Sequence, residues 1–271
     1  MKTGEWRKWL AAGTGVGIEI RGDRLEAMLV RVRPWGVQVA GMLSIERFRE
    51  RPAADWGAEY ASFLREHGAS HLAAVVLLPR HELTVRYVSL PGVSSKDLPA
   101  AVEFQLDELH PYGEEEALHG WARTLDGTGV LIGIARAELI HRYAAWFAEA
   151  GIRVAAFTFS AAVLHAATRL LTQPPEGGFL ALEEGPAGLE AYGESAARPV
   201  FSAVFDLAPE RAAALVQAEL RLNEEGAVRR LWELLPAPAA VPEGVELGGR
   251  ALLYATAMAA ACPWLAVKAN L

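Results

Sequence analysis

The stretch GVGIEIRGDRLEAMLVRV, residues 15–32, decides the fold. Residues 16–20 and 25–32 are runs rich in β-branched and apolar side chains, and the polar Arg21-Gly22-Asp23-Arg24 between them supplies the Gly and Asp of a tight reversal. This is a hairpin opening a domain. Pro34-Trp35-Gly36 makes the next break, and residues 37–45 form a third strand. In ADWGAEYASFLREHG, residues 54–68, Trp56, Tyr60, Phe63 and Leu64 recur at helical spacing and Gly68 stops the helix. LAAVVLL, residues 72–78, is apolar without alternation, as in a strand covered on both faces.

A block of different character begins at Pro79. Leu83, Val85, Tyr87 and Ser89 share one face of an alternating run over 81–90, which Pro91-Gly92 ends. Ser94-Ser95-Lys96-Asp97 reads as the cap of a helix with Leu98, Val102, Gln105, Leu106 and Leu109 on one face, ending before Pro111. Strands at 118–124 and 129–134, a helix over 137–150 and a strand over 153–157 complete this unit. Residues 160–171 form a helix returning to the core, and Pro174-Pro175-Glu176-Gly177-Gly178 is a linker. Strands at 179–182, 188–192 and 199–205 follow, then a helix over 209–222 and a full strand over 228–234. A Pro-rich loop runs to Pro242, and Gly248-Gly249-Arg250 precedes the apolar helix ALLYATAMAAAC.

Composition removes several functional classes. The 271 residues are enough for one large or two modest domains. No 18 consecutive residues are apolar and uncharged, so a membrane span is not expected. A net charge of −7, with no basic cluster beyond Arg229-Arg230, argues against nucleic acid as a partner. The lone Cys262 sits in AMAAACPWL and reads as a small buried hydrophobe. The seven histidines lack metal-ligand spacing, and Glu114-Glu115-Glu116 reads as a solvated loop rather than a metal or acid–base site. There is no G-x-S-x-G for a nucleophilic serine, and Gly13-Thr14-Gly15-Val16-Gly17 precedes a strand instead of following one, which disfavours a dinucleotide site. In residues 1–13, Glu5 interrupts the basic residues and the apolar part is too short for a secretion signal. Trp6 and Trp9 leave two readings for this segment: an amphipathic helix touching a membrane or a neighbour, or a frayed terminus.

Two of these phrases resemble one family. The hairpin is similar to the opening of actin-like ATPases, and among them of the PilM proteins of type IV pilus assembly, V-G-I-D-I-G-S-x-x-V-K-A. Val16, Gly17, Ile18 and Ile20 match, Glu19 stands for the Asp, Arg21 for the first turn Gly, and Glu26 for the Lys. The more specific phrase lies in residues 80–116, where Arg86, Val88, Leu90, Pro91, Leu98, Ala101, Glu103, His110, Pro111, Tyr112, Glu114 and Glu115 fall in register with PilM. The resemblance extends to the GspL-like proteins of type II secretion. It implies an α/β, actin-like (ribonuclease H-like) duplicated fold. Residues 14–79 and 156–176 would form the first half, 80–155 an insertion of the FtsA/PilM type, and 177–271 a reduced second half. Between Phe205 and Pro209 there is no room for the family's further subdomain.

The resemblance also places a nucleotide pocket: Gly17, Glu19, Arg21 and Gly22 at the first phosphate loop, Glu183 and Gly185 at the second, Gly248 and Gly249 at the adenosine turn. Both phosphate loops depart from pattern. Arg21 brings a long side chain where backbone N–H groups approach phosphate, and Glu183-Glu184 set carboxylates against it. The expectation is therefore no cofactor, Mg-ATP being disfavoured, and a scaffold that does not hydrolyse ATP. The alternatives are a working ATPase using Glu19, Glu183 and Gly248-Gly249 as a divergent pocket, and a plain surface hairpin without any ligand.

The implied partner is an inner-membrane pilus or secretion protein, with no small-molecule substrate and homo-oligomerisation left open. In the pilus system this partner is PilN, whose cytoplasmic segment carries a phrase like I-N-L-L-P that binds a groove of PilM. Ala269-Asn270-Leu271 looks like the first half of that phrase. The expectation is a fusion, continuing with Leu-Pro, basic residues and one span, in which Asn270 and Leu271 bind a groove on the same or a neighbouring copy at the cytoplasmic face of the inner membrane. An ordinary disordered tail is the competing reading.

Overall fold

Gly22, at φ +67°, turns the chain between β1 (Gly13–Arg21) and β2 (Arg24–Arg33), which pair antiparallel with Val16 opposite Leu29 and Ile18 opposite Ala27. The computed structural model describes residues 9–110, 112–113, 116–127, 129–185, 188–222, 228–267 and 269–271. β1 thus begins at Gly13, so the Gly13–Gly17 run lies inside a strand instead of preceding one. β3 (Gly36–Ile45) extends the hairpin, α1 (Ala53–Glu66) crosses over, and β4 (Ala74–Leu77) returns parallel to β1. β4 is shorter than the apolar run 72–78, because Leu72 N–H closes a turn onto Ala69 O at 2.9 Å before pairing starts.

β5 (Thr84–Ser89), α2 (Leu98–Leu109), β6 (Ala117–Arg123) and β7 (Gly129–Arg136) make a separate three-stranded antiparallel sheet, order β5-β7-β6. Leu98, Val102 and Leu106 of α2 pack on Val130, Ile132 and Ile134 of β7. Asp97 stands at the N-cap of α2 but its side chain caps nothing; Ser94 Oγ instead donates to the Asp97 carboxylate at 2.7 Å and staples the preceding turn. The acidic residues Glu114 and Glu115, with Pro111, lie outside the described residues.

α3 (Ala137–Glu149) leads to β8 (Val154–Thr158), which joins β4 in parallel at the edge of the large sheet and not the small sheet read for residues 153–157. α4 (Ser160–Leu170) crosses into the second half. There, β9 (Phe179–Gly185), β10 (Gly188–Glu194) and β11 (Phe201–Phe205) form an antiparallel meander, and only three residues separate β11 from α5 (Pro209–Leu220). The strand expected over 228–234 is only β12 (Val228–Arg230), parallel to β9; Leu231–Leu234 is a 3₁₀ turn that buries Leu231 and Leu234. The Pro-rich loop carries β13 (Pro238–Ala240), which adds to β3 before α6 (Ala251–Ala261). The large sheet therefore reads β13-β3-β2-β1-β4-β8 and the second β11-β10-β9-β12. A hairpin-led meander with a fourth strand parallel to the first occurs twice, which is the duplicated α/β arrangement expected.

α4 and α6 are apolar almost all round and pack on each other. Gly13, Gly15 and Gly17, on one face of β1, let α6 approach backbone to backbone: a Cβ on Gly15 would lie 2.1 Å from Ala261 N, and one on Gly17 2.5 Å from Ala257 N. Cys262 is buried and free, as expected. Among the described residues no helix is long and apolar enough to cross a membrane.

Candidate functional site

The C-terminal end of β1, the adjoining ends of β9 and β10 at Gly185 and Gly188, and the turn before α6 meet at the cleft between the two halves. Glu19, Arg21, Gly22, Glu183, Gly185 and Gly249 line one cavity there, while Gly248 lines the open groove beside it. Gly17 is not in the site; its missing side chain serves the packing of α6. Sequence reasoning missed Arg80, Ser160 and Glu190, which also line the cavity. The available signal was Glu190-Ala191-Tyr192-Gly193-Glu194: every second residue of a buried strand is polar or amphipathic on the face toward the first half, opposite the Leu189 and Ala191 face.

The cavity is small, about 120 Å³. Arg21 spans it, with Nη1 donating to Gly249 O at 2.7 Å and lying 3.6 Å from a Glu26 carboxylate oxygen. Glu26 is buried and also receives Arg250 Nη2 at 3.1 Å, with Arg24 Nη1 3.8 Å away. The residue standing for the family's lysine is thus the anionic hub of three arginines. Glu19 Oε2 and Glu190 Oε1 are buried without a hydrogen-bond partner. Burial pushes the Glu19 carboxyl up to about 8, against a weaker opposing pull from Arg21. Burial likewise raises Glu183 to about 7, although Arg21 and the Ala251 N–H at the start of α6 favour its ionised form. Beside this cavity an open groove of about 850 Å³ is lined by Leu182, Pro209, Trp232, Leu247 and Gly248.

Below the cavity a buried polar network ties the halves. Glu194 of β10 accepts from Arg169 Nη1 at 2.8 Å and from Tyr192 OH, and contacts His165 Nδ1 at 3.2 Å. His165 Nε2 accepts the Leu125 N–H at 3.1 Å, which brings in the β6–β7 turn and fixes the imidazole as an Nδ1–H donor to Glu194. Bonds from His165 and Arg169 outweigh burial and hold the Glu194 carboxyl down at about 2. Arg80 donates to Ser202 O at 2.9 Å and Leu83 O at 2.9 Å, joining the start of the small sheet to β11.

Asn270 and Leu271 lie elsewhere. Phe157 N–H donates to Asn270 Oδ1 at 3.1 Å and Leu271 N–H to Phe157 O at 3.0 Å, so the segment adds to the free edge of β8. Ala269 is buried, and Leu271 borders a groove formed by Ala144, Phe147, Ala148 and Ile152. On the other side Gly120 of β6 has no room for a side chain, since a Cβ would stand 2.1 Å from Asn270 O. Among the described residues no cluster of three or more His, Cys, Asp or Glu is arranged to hold a metal.

No protein-family model matches the sequence, and no curated protein matches it. Solved structures do match in fold. The chain is similar to a structure of the PilM-PilN type IV pilus biogenesis complex, with TM-score 0.56 and 18% identity over 77% of this chain and 66% of that one, so it spans just under two thirds of that protein. It is also similar to the cytoplasmic domain of EpsL, an inner-membrane component of the type II secretion system of Vibrio cholerae, with TM-score 0.53 and 14% identity over 90% of this chain and 94% of that one. The fold is the α/β actin-like fold shared with these proteins.

Proposed function

We propose that this chain is an actin-like scaffold of a type IV pilus or type II secretion platform, held at the cytoplasmic face of the inner membrane, whose nucleotide site is degenerate. The observation that carries the second part is the Arg21 side chain, laid across the cleft onto Gly249 O and neutralised by Glu26. A triphosphate on both loops would have to displace that bond and sit against Glu19, Glu183 and Glu190 in a cavity of about 120 Å³, well short of the roughly 300–1,000 Å³ of ligand pockets. The residues present do not fit Mg-ATP. Calorimetric titration with Mg-ATP is expected to give no saturable heat; a Kd below roughly 10 μM, or ATP turnover abolished by Glu183→Ala, overturns the reading. The working-ATPase alternative draws on the groove beside Trp232, whose volume suits a nucleoside; saturable adenosine binding without ATP binding would place the loss at the phosphate loops.

The partner surface is the edge of β8 with α3 and β6. Residues 269–271 hold it through Asn270 and Leu271, and an inner-membrane partner segment carrying an Asn-Leu pair would make the same bonds to Phe157. A peptide with I-N-L-L-P at its centre should compete with residues 269–271 for this edge and lose affinity in Gly120→Ala; binding unaffected by that substitution refutes the assignment.

A further inference from the structure

The end of the large sheet opposite the cleft is where β1, β3, β4, β8 and β13 begin and β2 ends. Four of the molecule's exposed large apolar side chains gather there: Trp35 is 81% exposed, Trp9 74%, Trp264 57% and Leu10 51%. Their proximity is set by covalent and hydrogen-bonded links. Trp264 Nε1 donates to Leu10 O at 3.4 Å, Arg33 Nη1 donates to Gly13 O at 3.2 Å, and Arg33 pairs with Gly36 to close the two-residue turn that presents Trp35. These positions are expensive to leave in water and have no internal packing to explain them.

Charge at this end leans positive. Residues 9–15, 29–37, 65–75, 149–156, 236–240 and 262–267 hold Arg31, Arg33, Arg65, His67, His71 and Arg153 against two acids, Glu66 and Glu149, in a chain of net charge −7. Arg153 is anchored by Nη2 to Ser70 O at 2.6 Å, which fixes a cation beside the strand ends. Indole rings at a rim where arginine outnumbers carboxylate are the chemistry of the bilayer headgroup layer, where Trp spans apolar and wet zones and each basic residue gains from anionic lipid.

We infer that this tryptophan-bearing end of the large sheet docks directly on an anionic lipid surface, independently of any protein partner and of the state of the cleft. The cleft then faces away from the bilayer. The test is sedimentation of the chain with vesicles of equimolar phosphatidylglycerol and phosphatidylcholine, and with phosphatidylcholine alone. The expected result is binding to the anionic vesicles, loss at high salt, and weakening of about tenfold for each of Trp9→Ala, Trp35→Ala and Trp264→Ala, if roughly 50–60 Å² of indole leaves water. Arg31→Gln and Arg153→Gln should each weaken it about fivefold. Trp35→Ala sits in an exposed turn and leaves the circular dichroism unchanged, so loss of binding there is not loss of fold. Binding equal in wild type and the triple Trp variant, or no binding by wild type, overturns the inference. So does a patch that mediates only self-association, seen as a concentration-dependent mass that the variants abolish without vesicle binding.

Discussion

Replacing Glu19 by Gln tests the cleft electrostatics without changing its shape. Glu19 is buried with one oxygen unpartnered, and its carboxyl titrates near 8 instead of the ordinary 4.5. The folded protein therefore holds a proton there that the unfolded chain releases, and stability falls as pH rises from about 4.5 to 8. A rise of this size corresponds to a penalty approaching 5 kcal/mol above pH 8, reduced to roughly 2–3 kcal/mol once water enters the mouth of the cleft. Urea unfolding of wild type and Glu19→Gln at pH 5 and pH 8.5 should show near-equal stability at the lower pH and a gain of that size for the variant at the higher. Comparing the two proteins cancels the general effect of net charge. A difference that does not change with pH, or a variant less stable than wild type at pH 8.5, refutes the argument, because it would mean that Glu19 is ionised and held by Arg21, whose Nε lies 3.9 Å away.

The buried acid Glu194 behaves in the opposite sense. Its carboxyl is held near 2, so it contributes stability above pH 4.5 that is lost as pH falls toward 2. Glu194→Gln, which strands Arg169, should cost about 3–5 kcal/mol at pH 7 in urea unfolding and flatten the acid limb of the stability profile. Gly15→Ala drives a Cβ to within 2.1 Å of the α6 backbone and should cost at least about 1–3 kcal/mol by the same assay, whereas Gly22→Ala, with open space around it, meets only the strain of its positive φ. Gly120→Ala should expel residues 269–271 from the β8 edge, read as loss of hydrogen-exchange protection at the Leu271 amide; unchanged protection would show that the segment re-seats past the methyl.

How legible these features were depended on whether their cause is local. The hairpin at Gly22, the apolar strand before Leu78 and the α2 face are fixed by neighbours in sequence, and each stands close to where periodicity put it. Residues 228–234 looked like a strand because Leu231 and Leu234 are apolar, yet their burial comes from a 3₁₀ turn beneath the second sheet. β13 was unreadable, since three residues in a Pro-rich loop pair with β3 only because the chain crosses between halves there. At the site, Glu19, Arg21 and Glu183 were found through a sequence pattern that places one loop in each half. The bond from Arg21 to Gly249, 228 residues apart, depends on how the halves close, and no local pattern encodes that. The same holds for Gly17, which the pattern assigned to phosphate and the packing of α6 claims instead.

The two segments that the sequence pattern assigns to phosphate lie one in each half, so a nucleotide bound by both would bridge the halves; under the reading proposed above, something else has to hold them together. Among the described residues, the side-chain links that cross the junction include Arg21 to Gly249, Arg250 to Glu26, Arg80 to Ser202, and Arg169 with His165 to Glu194. Those to Glu26, Ser202 and Glu194 are buried or half-buried, where bonds to charged groups contribute about 1.5–3 kcal/mol apiece, while the exposed Arg21–Gly249 bond contributes less. Bonds of this strength match in kind those that phosphate would make to loop amides, but they are covalently tethered and do not dissociate or hydrolyse. The consequence is mechanical. Under the proposed reading, a junction closed by its own side chains needs no nucleotide to hold the orientation of the halves, and of the β8 edge relative to the tryptophan-bearing end. That is the property required of a fixed platform.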